Sequence, residues 1–205
     1  MESSVIIEDF GPRVKSVWND LRPATRNLIE RAWQSPTPTS TAEAVRSAPY
    51  DPRADRELSQ LLAALDERAA HGDSAISDEP SRQARRLADA CANMLTQQTQ
   101  SGEVFAQLIQ RAHSRQEYAR IDELANAMAM RLAPTELCEL ARSANVVVRA
   151  LAYEVLAQAP APLLRALLHD PVDAEVARVV LERQAHEFGS EEARQALREF
   201  DEFAT

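Results

Sequence analysis

The chain has 205 residues, of which 45% are hydrophobic and only 5% aromatic, and it carries a formal net charge of −9. This length suits one domain, or one domain with an appendage, and the acidity disfavours binding to nucleic acid or to an anionic membrane surface. Good helix formers predominate and only four glycines occur, so the composition predicts an all-α protein.

The first part of the chain shows apolar residues at helical intervals. They predict two helices before residue 34, with Pro23 in the first turn of the second helix. The stretch SPTPTST predicts a linker, followed by a short helix around residues 42–48. We therefore expect an N-terminal helical segment at residues 1–34, a linker at 35–50 and a helical-repeat domain at 51–205.

The middle of the chain predicts four further helices. Asp51-Pro52 is typical of a helix start, and the helix is expected to end near Ala70. The next helix is expected to end near Gln98. Ser101 is a candidate cap for its successor, and the segment Ser114-Arg-Gln-Glu117 matches a capping box, in which two side chains satisfy free backbone amides.

One pattern occurs twice between Pro134 and Glu182, with a period of 27–28 residues. Each copy has a proline, a leucine-rich helix, a polar break and a second apolar helix. The overlay places Leu137 on Leu164, Ser143 on Asp170, Val148 on Val176 and Ala152 on Val180. A fainter copy spans Ile109–Met128. Helix pairs of this kind bury their apolar faces by stacking on their neighbours. Ser190 starts a last helix whose polar character suits a terminal cap.

The segments LARSANVVVRALAYEVLA and PAPLLRALLHDPVDAEV resemble HEAT-type α-solenoids, above all the bacterial variant leucine-rich repeats. The resemblance covers residues 109–189. It implies a short right-handed α-solenoid of stacked helix pairs, with an N-terminal helical extension. Ser-Ala-Asn replaces the usual Asp-Pro break in one copy, and Ala177 replaces the usual arginine in the other. The isolated Cys91 and Cys138 do not form the cysteine set of an iron–sulfur cluster.

No catalytic signature occurs in the sequence. The four histidines show no HExxH spacing, and neither a GxSxG elbow nor a glycine-rich phosphate loop is present. We therefore expect a protein without enzymatic activity, metal or cofactor. The leading hypothesis is a helical-repeat module that binds a protein or peptide segment, as an adaptor or regulatory scaffold.

Three residues are candidates for contact with such a partner. Arg149 and Tyr153 lie four residues apart on one helix side, and arginine and tyrosine are favoured interface anchors. In HEAT-like units, an arginine at the position of Arg149 instead bonds the turn between helices. Phe203 is a third candidate, in the C-terminal tail. The chain from Ala133 onward has 13 acidic residues and 7 arginines, which favours a basic partner.

Two alternative functions follow from other features. Arg82, Arg85, Arg86 and Arg111 form a candidate basic patch, which would suit a HEAT-like nucleic-acid-binding or DNA-repair protein. The single lysine, Lys15, and the SPTPTST linker would suit an effector secreted without a cleavable signal peptide, although a GC-rich genome also explains the lysine scarcity. With no signal peptide or transmembrane stretch in the sequence, we expect a cytoplasmic protein.

Overall fold

The computed structural model describes residues 7–34, 50–71 and 79–203, and every regular element in these ranges is helical. The all-α class predicted from composition is confirmed. The chain divides into two compact units, Met1–Val104 and Phe105–Thr205. The expected linker at 35–50, with its short helix, falls largely outside the described residues.

The described residues of the first unit form a short 3₁₀ helix and four α-helices. Their bounds are Ile7–Phe10 for the 3₁₀ helix, then α1 (Pro12–Asp20), α2 (Pro23–Gln34), α3 (Pro52–His71) and α4 (Glu79–Gln98). The two long helices α3 and α4 pack along each other, α1 packs on α3, and α2 contacts both long helices. The predicted starts at Pro23 and Pro52 are therefore confirmed.

The core of this unit follows the apolar spacing of its long helices. On α3, the inward positions recur every three or four residues, as the sequence predicted, and all are fully buried: Leu58, Leu61, Leu62 and Leu65. On α4 the buried set includes Leu87, Cys91 and Leu95. The 3₁₀ helix adds Phe10, whose ring is also buried. Burial of these apolar side chains stabilises the packing of the helices against each other.

Arg22 connects the residue before α2 to the start of α3. Its Nη2 donates to Asp51 Oδ2 at 2.8 Å, and its Nε donates to Glu57 Oε1 at 2.8 Å. The Thr25 hydroxyl donates to the other oxygen of Glu57. The hydrogen bond from Arg22 lowers the pKa of Asp51, and the same bond raises the pKa of Arg22. These bonds join segments that are about thirty residues apart in the chain.

Asp55 is a buried carboxylate one turn into α3. Its Oδ2 accepts hydrogen bonds from the Tyr50 hydroxyl at 3.0 Å and from the Thr99 hydroxyl at 2.6 Å. Because Thr99 follows the last residue of α4, this carboxylate ties the start of α3 to the end of α4. Hydrogen bonds to the charged form are what make a buried carboxylate tolerable.

Asp51→Asn should destabilise the first unit at neutral pH. The amide keeps the acceptor that bonds Arg53 N at 2.9 Å but loses the charge that Arg22 binds. Since the pKa of Asp51 is lowered in the folded protein, its contribution is present above the ordinary aspartate pKa and is lost as pH falls through the lowered value. Urea unfolding should therefore show a deficit for Asp51→Asn at pH 7 that shrinks towards pH 3. A deficit of equal size at both pH values would contradict the charge explanation.

The part of the second unit that the structure describes, up to residue 203, contains seven helices, the first of which begins just before the division between the units. Their bounds are α5 (Gly102–Ser114), α6 (Tyr118–Arg131), α7 (Pro134–Ala141), α8 (Val146–Ala157), α9 (Ala161–Leu167), α10 (Ala174–Glu187) and α11 (Glu191–Phe203). Helix α7 packs on α8, and α9 packs on α10. In addition, α8 contacts both α6 and α10, while α9 contacts both α7 and α11.

The residues that the internal repeat places in register share the same environment. The aligned pairs Leu137/Leu164, Val148/Val176 and Ala152/Val180 are all buried. The two copies of the pattern therefore form two helix pairs, α7/α8 and α9/α10, with the same positions in the core. The finer expectation, a right-handed HEAT-like solenoid, stays a prediction.

Of the two helix starts predicted on either side of the repeat, at Ser114 and at Ser190, only the second is confirmed. The capping box expected at Ser114–Glu117 is wrong: the Ser114 hydroxyl donates to Arg111 O at 2.8 Å inside α5, and Glu117, which precedes α6, makes no side-chain cap bond. Gln116 instead turns the chain with a left-handed φ of 60°. The helix start expected at Ser190 is confirmed: α11 begins at Glu191, and Ser190 Oγ accepts from Ala193 N at 3.2 Å.

The domain boundaries expected from the sequence pattern, after residues 34 and 50, stay a prediction. Helices α3 and α4 share a compact unit with α1 and α2, whereas the sequence pattern grouped them with the repeats. In the part of the chain that the structure describes, the apolar faces of α1 and α2 pack on α3 and α4.

Candidate interaction surface

The turn between α7 and α8 is organised by three polar side chains. Asn145 Oδ1 accepts from Val147 N at 3.0 Å and from Val148 N at 3.1 Å, so it caps α8. Ser143 Oγ accepts from Asn145 N at 3.2 Å. Arg149 Nη1 donates to Ser143 O at 2.8 Å. Arg149 thus makes the bond that the turn interpretation of this residue expects.

The turn between α9 and α10 is stabilised in part by an arginine of the preceding helix pair. Asp170 Oδ1 accepts from Val172 N at 2.8 Å and from Asp173 N at 3.3 Å. Ala177, at the position equivalent to Arg149, has no polar side chain. Arg142, at the end of α7, supplies the missing donor: its Nη1 bonds Val172 O at 3.1 Å and Asp173 Oδ1 at 2.6 Å. One helix pair therefore holds the turn of the next.

Two side chains of α10 bind α8 in return. Gln184 is buried, and its Nε2 donates to Ala157 O at 3.0 Å and to Ala159 O at 2.7 Å, which satisfies carbonyls at the C-terminal end of α8. Arg183 pairs with Glu154 of α8 at 2.9 Å and with Glu187 at 2.7 Å. We name the contacts of Arg142, Arg183 and Gln184 the inter-pair bonds.

Sequence reasoning missed the inter-pair bonds. The contact of Arg142 could have been anticipated from the sequence. The second copy of the repeat has Ala177 where the first copy has Arg149, so its turn needs a hydrogen-bond donor from another helix. Gln184 replaces an apolar residue, since its equivalent in α8 is Leu156. A glutamine at a position that is apolar in the other copy is the kind of substitution that indicates a carbonyl to be satisfied.

The three predicted partner-contact residues lie at two places in the second unit. Arg149 and Tyr153 are both half-buried on α8, one turn apart. The guanidinium of Arg149 is engaged by the turn, which leaves Tyr153 as the less constrained of the two. Phe203 ends α11, and its side chain lies outside the part of the structure that is described. Their role in binding stays a prediction.

The four arginines of the predicted basic patch belong to different units. Arg82, Arg85 and Arg86 are exposed on α4 of the first unit, and the charge of Arg82 is met by Glu79 at 2.7 Å. Arg111 is half-buried in α5, on the other side of the division between the units. The structure thus places three of these arginines on one helix, and their binding of nucleic acid stays a prediction.

The metal-ligating residue types are dispersed through the described ranges. Residues 7–34, 50–71 and 79–203 contain no group of three His, Cys, Asp or Glu side chains arranged to hold a metal ion. His169 packs edge-on against Phe200 of α11, with ring centroids 5.8 Å apart. In the same ranges, no helix combines the length and the apolar character needed to cross a membrane.

Comparison with known proteins identifies no relative of this chain: no family model, curated protein or solved structure matches it.

The Arg142–Asp173 pair should contribute strongly to stability. Asp173 is buried, and Arg142→Ala would leave its carboxylate without the 2.6 Å partner. We expect Arg142→Ala to lower the free energy of unfolding by about 2 kcal/mol, with part of the loss recovered in Arg142→Ala/Asp173→Ala. Urea unfolding of the two single variants and the double variant measures this coupling. Arg198→Ala, at an exposed position of α11, is the matched control and should change stability by less than about 0.5 kcal/mol.

Cys138 should be an unreactive thiol in the folded protein. Burial, together with the nearby Asp173 carboxylate, raises the pKa of the Cys138 thiol to about 11. In a Cys91→Ala background, a disulfide reagent at pH 8 should modify Cys138 only after denaturation. Because the folded thiol keeps a proton that the unfolded thiol has lost, raising the pH from about 9 to about 11 should cost stability, by up to about 2 kcal/mol. Cys91→Ala/Cys138→Ala should lack this share of the alkaline loss.

Proposed function

We propose that this chain is a non-enzymatic helical-repeat module, whose second unit binds a protein segment at α8. The observation that carries the proposal is the chain of contacts between successive helix pairs: α6, α8 and α10 are joined in sequence through α8, and α7, α9 and α11 are joined through α9. Stacking of this kind leaves one side of each helix available to a partner.

The inter-pair bonds support a binding surface that is formed in advance. Arg142, Gln184 and Arg183 each join two helix pairs through side-chain groups at 3.1 Å or less. A surface held in place before binding loses less conformational entropy when a partner arrives. The proposed module therefore binds as a rigid template.

Tyr153 is the proposed anchor on this surface. It is half-buried on α8, so its ring is supported by neighbours while part of it stays accessible. Glu154 follows it, is exposed, and pairs with Arg183 at 2.9 Å. The chain from Ala133 onward has 13 acidic residues against 7 arginines. A partner with basic residues beside an apolar or aromatic side chain has the chemistry that complements this surface.

A peptide library displayed on phage and selected against the folded protein tests the proposal. Enriched peptides should share basic and apolar residues. When such a peptide binds, the NMR chemical shifts of backbone amides should change mainly on α8. Tyr153→Ala should weaken the best peptide at least about tenfold, equivalent to about 1.4 kcal/mol. Tyr118→Ala is the matched control, because Tyr118 is an exposed tyrosine on the neighbouring helix α6.

Two outcomes would contradict this function. If the selection enriches no peptide, the proposal that this chain is a peptide-binding module is wrong. Equal losses in Tyr153→Ala and Tyr118→Ala would place the binding surface elsewhere than on α8.

A further inference from the structure

Helix α10 has one face that no other described helix covers. The opposite face is buried against α8, α9 and α11 through Val176, Ala177, Val180, Leu181 and Gln184. The uncovered side has five residues at helical spacing, which we name the α10 stripe: Glu175, Arg178, Val179, Glu182 and His186. Four of the five are exposed, and Glu182 is half-buried.

Exposed apolar side chains are concentrated at this helix. Seven large hydrophobic residues of the described ranges are exposed, and three of them belong to α10 or its ends. Val179 lies in the middle of the stripe and is 45% exposed, Val172 precedes the helix at 64%, and Phe188 follows it at 60%. Apolar residues grouped with charges in this way are typical of a surface that is covered in an assembly.

The order of charges along the α10 stripe is complementary to its own reverse. From the N-terminal end it runs acidic, basic, apolar, acidic, then imidazole. An antiparallel pairing of two α10 helices, centred level with Val180, places Arg178 opposite Glu182 of the second copy. It brings Glu175 within one residue of the position opposite His186, whose imidazole N–H can donate to a carboxylate.

The same pairing brings the two Val179 side chains together near its centre. Val172 and Phe188, which flank α10, lie level with each other at the two ends of the pairing and are not counted in the stripe. A surface that matches itself after a half-turn is the condition for a two-fold symmetric interface. We propose that the α10 stripe is a self-association surface, and that its occupant is a second copy of this chain.

The expected dimer is a weak one. A single helix face from each protomer buries less than a standard interface, which is the size range of transient association. Sedimentation equilibrium between about 10 µM and about 1 mM should show a reversible rise from monomer to dimer mass. Added salt should weaken the association, because the charge pairs lie at the edge of the interface.

Charge reversal tests the surface directly. Arg178→Glu and Glu182→Arg should each weaken self-association at least about tenfold. An equimolar mixture of the two variants should regain association to within about threefold of the unmodified protein. Within each variant chain, the native Arg178–Glu182 pair at 3.1 Å stays broken in the mixture, so recovery reports contacts between chains alone.

Arg198→Glu and Glu192→Arg are the matched controls. Both positions are exposed on α11 and change the net charge by the same amounts. The proposal is overturned if the unmodified protein stays monomeric across the concentration range. It is also overturned if the stripe variants associate normally, if the controls weaken association equally, or if the mixture of folded variants fails to recover.

Discussion

The second unit depends on side chains that satisfy the backbone at the ends of short helices. Helices α7 and α9 have eight and seven residues, which is too short for a helix to be stable by itself. Their turns leave amides and carbonyls without helical partners. Asn145 and Asp170 serve the amides within each turn, while Arg142 and Gln184 serve carbonyls of the neighbouring pair. Each pair is therefore completed by its neighbour.

In the first unit, carboxylate side chains at the start of a helix make the polar contacts between helix ends. Asp51, Asp55 and Glu57 lie in or just before the first turns of α3 and accept from Arg22, Thr25, Tyr50 and Thr99. Negative charge near a helix N-terminus is favourable, since it complements the helix dipole. The consequence is that the start of one long helix organises both a preceding helix and the end of the following one.

This use of polar side chains narrows the surface that is free for function. Arg149 was predicted from the sequence as an interface anchor, but its guanidinium donates a hydrogen bond to the carbonyl of Ser143 in the turn. Arg142, Arg183 and Gln184 are engaged between helix pairs. No hydrogen bond between helix pairs is seen for Tyr153 or the α10 stripe among the described residues, although Arg178 and Glu182 of the stripe pair within their own helix. The proposals for a partner segment and for a second copy of the chain rest on these two surfaces.

The helical class, most helix starts and the inward positions of the repeat can be predicted from the sequence. These features follow from local rules: proline and cap residues mark where helices begin, and apolar spacing identifies the face that is buried. Leu58, Leu62, Val148 and Val176 are predictable in this way because each needs only its own helix to be correct.

Which polar residues join separate helices depends on how the helices pack and cannot be predicted from the sequence pattern. Arg142 and Asp173 are 31 residues apart, and Gln184 lies 27 residues from Ala157. No helical period relates such positions, because their proximity depends on how the pairs stack. The Ser114 prediction was wrong for a related reason: its hydroxyl can bond either the next helix or its own, and the sequence pattern does not separate the two. Long-range polar contacts are set by packing, whereas apolar periodicity is set by the helix itself.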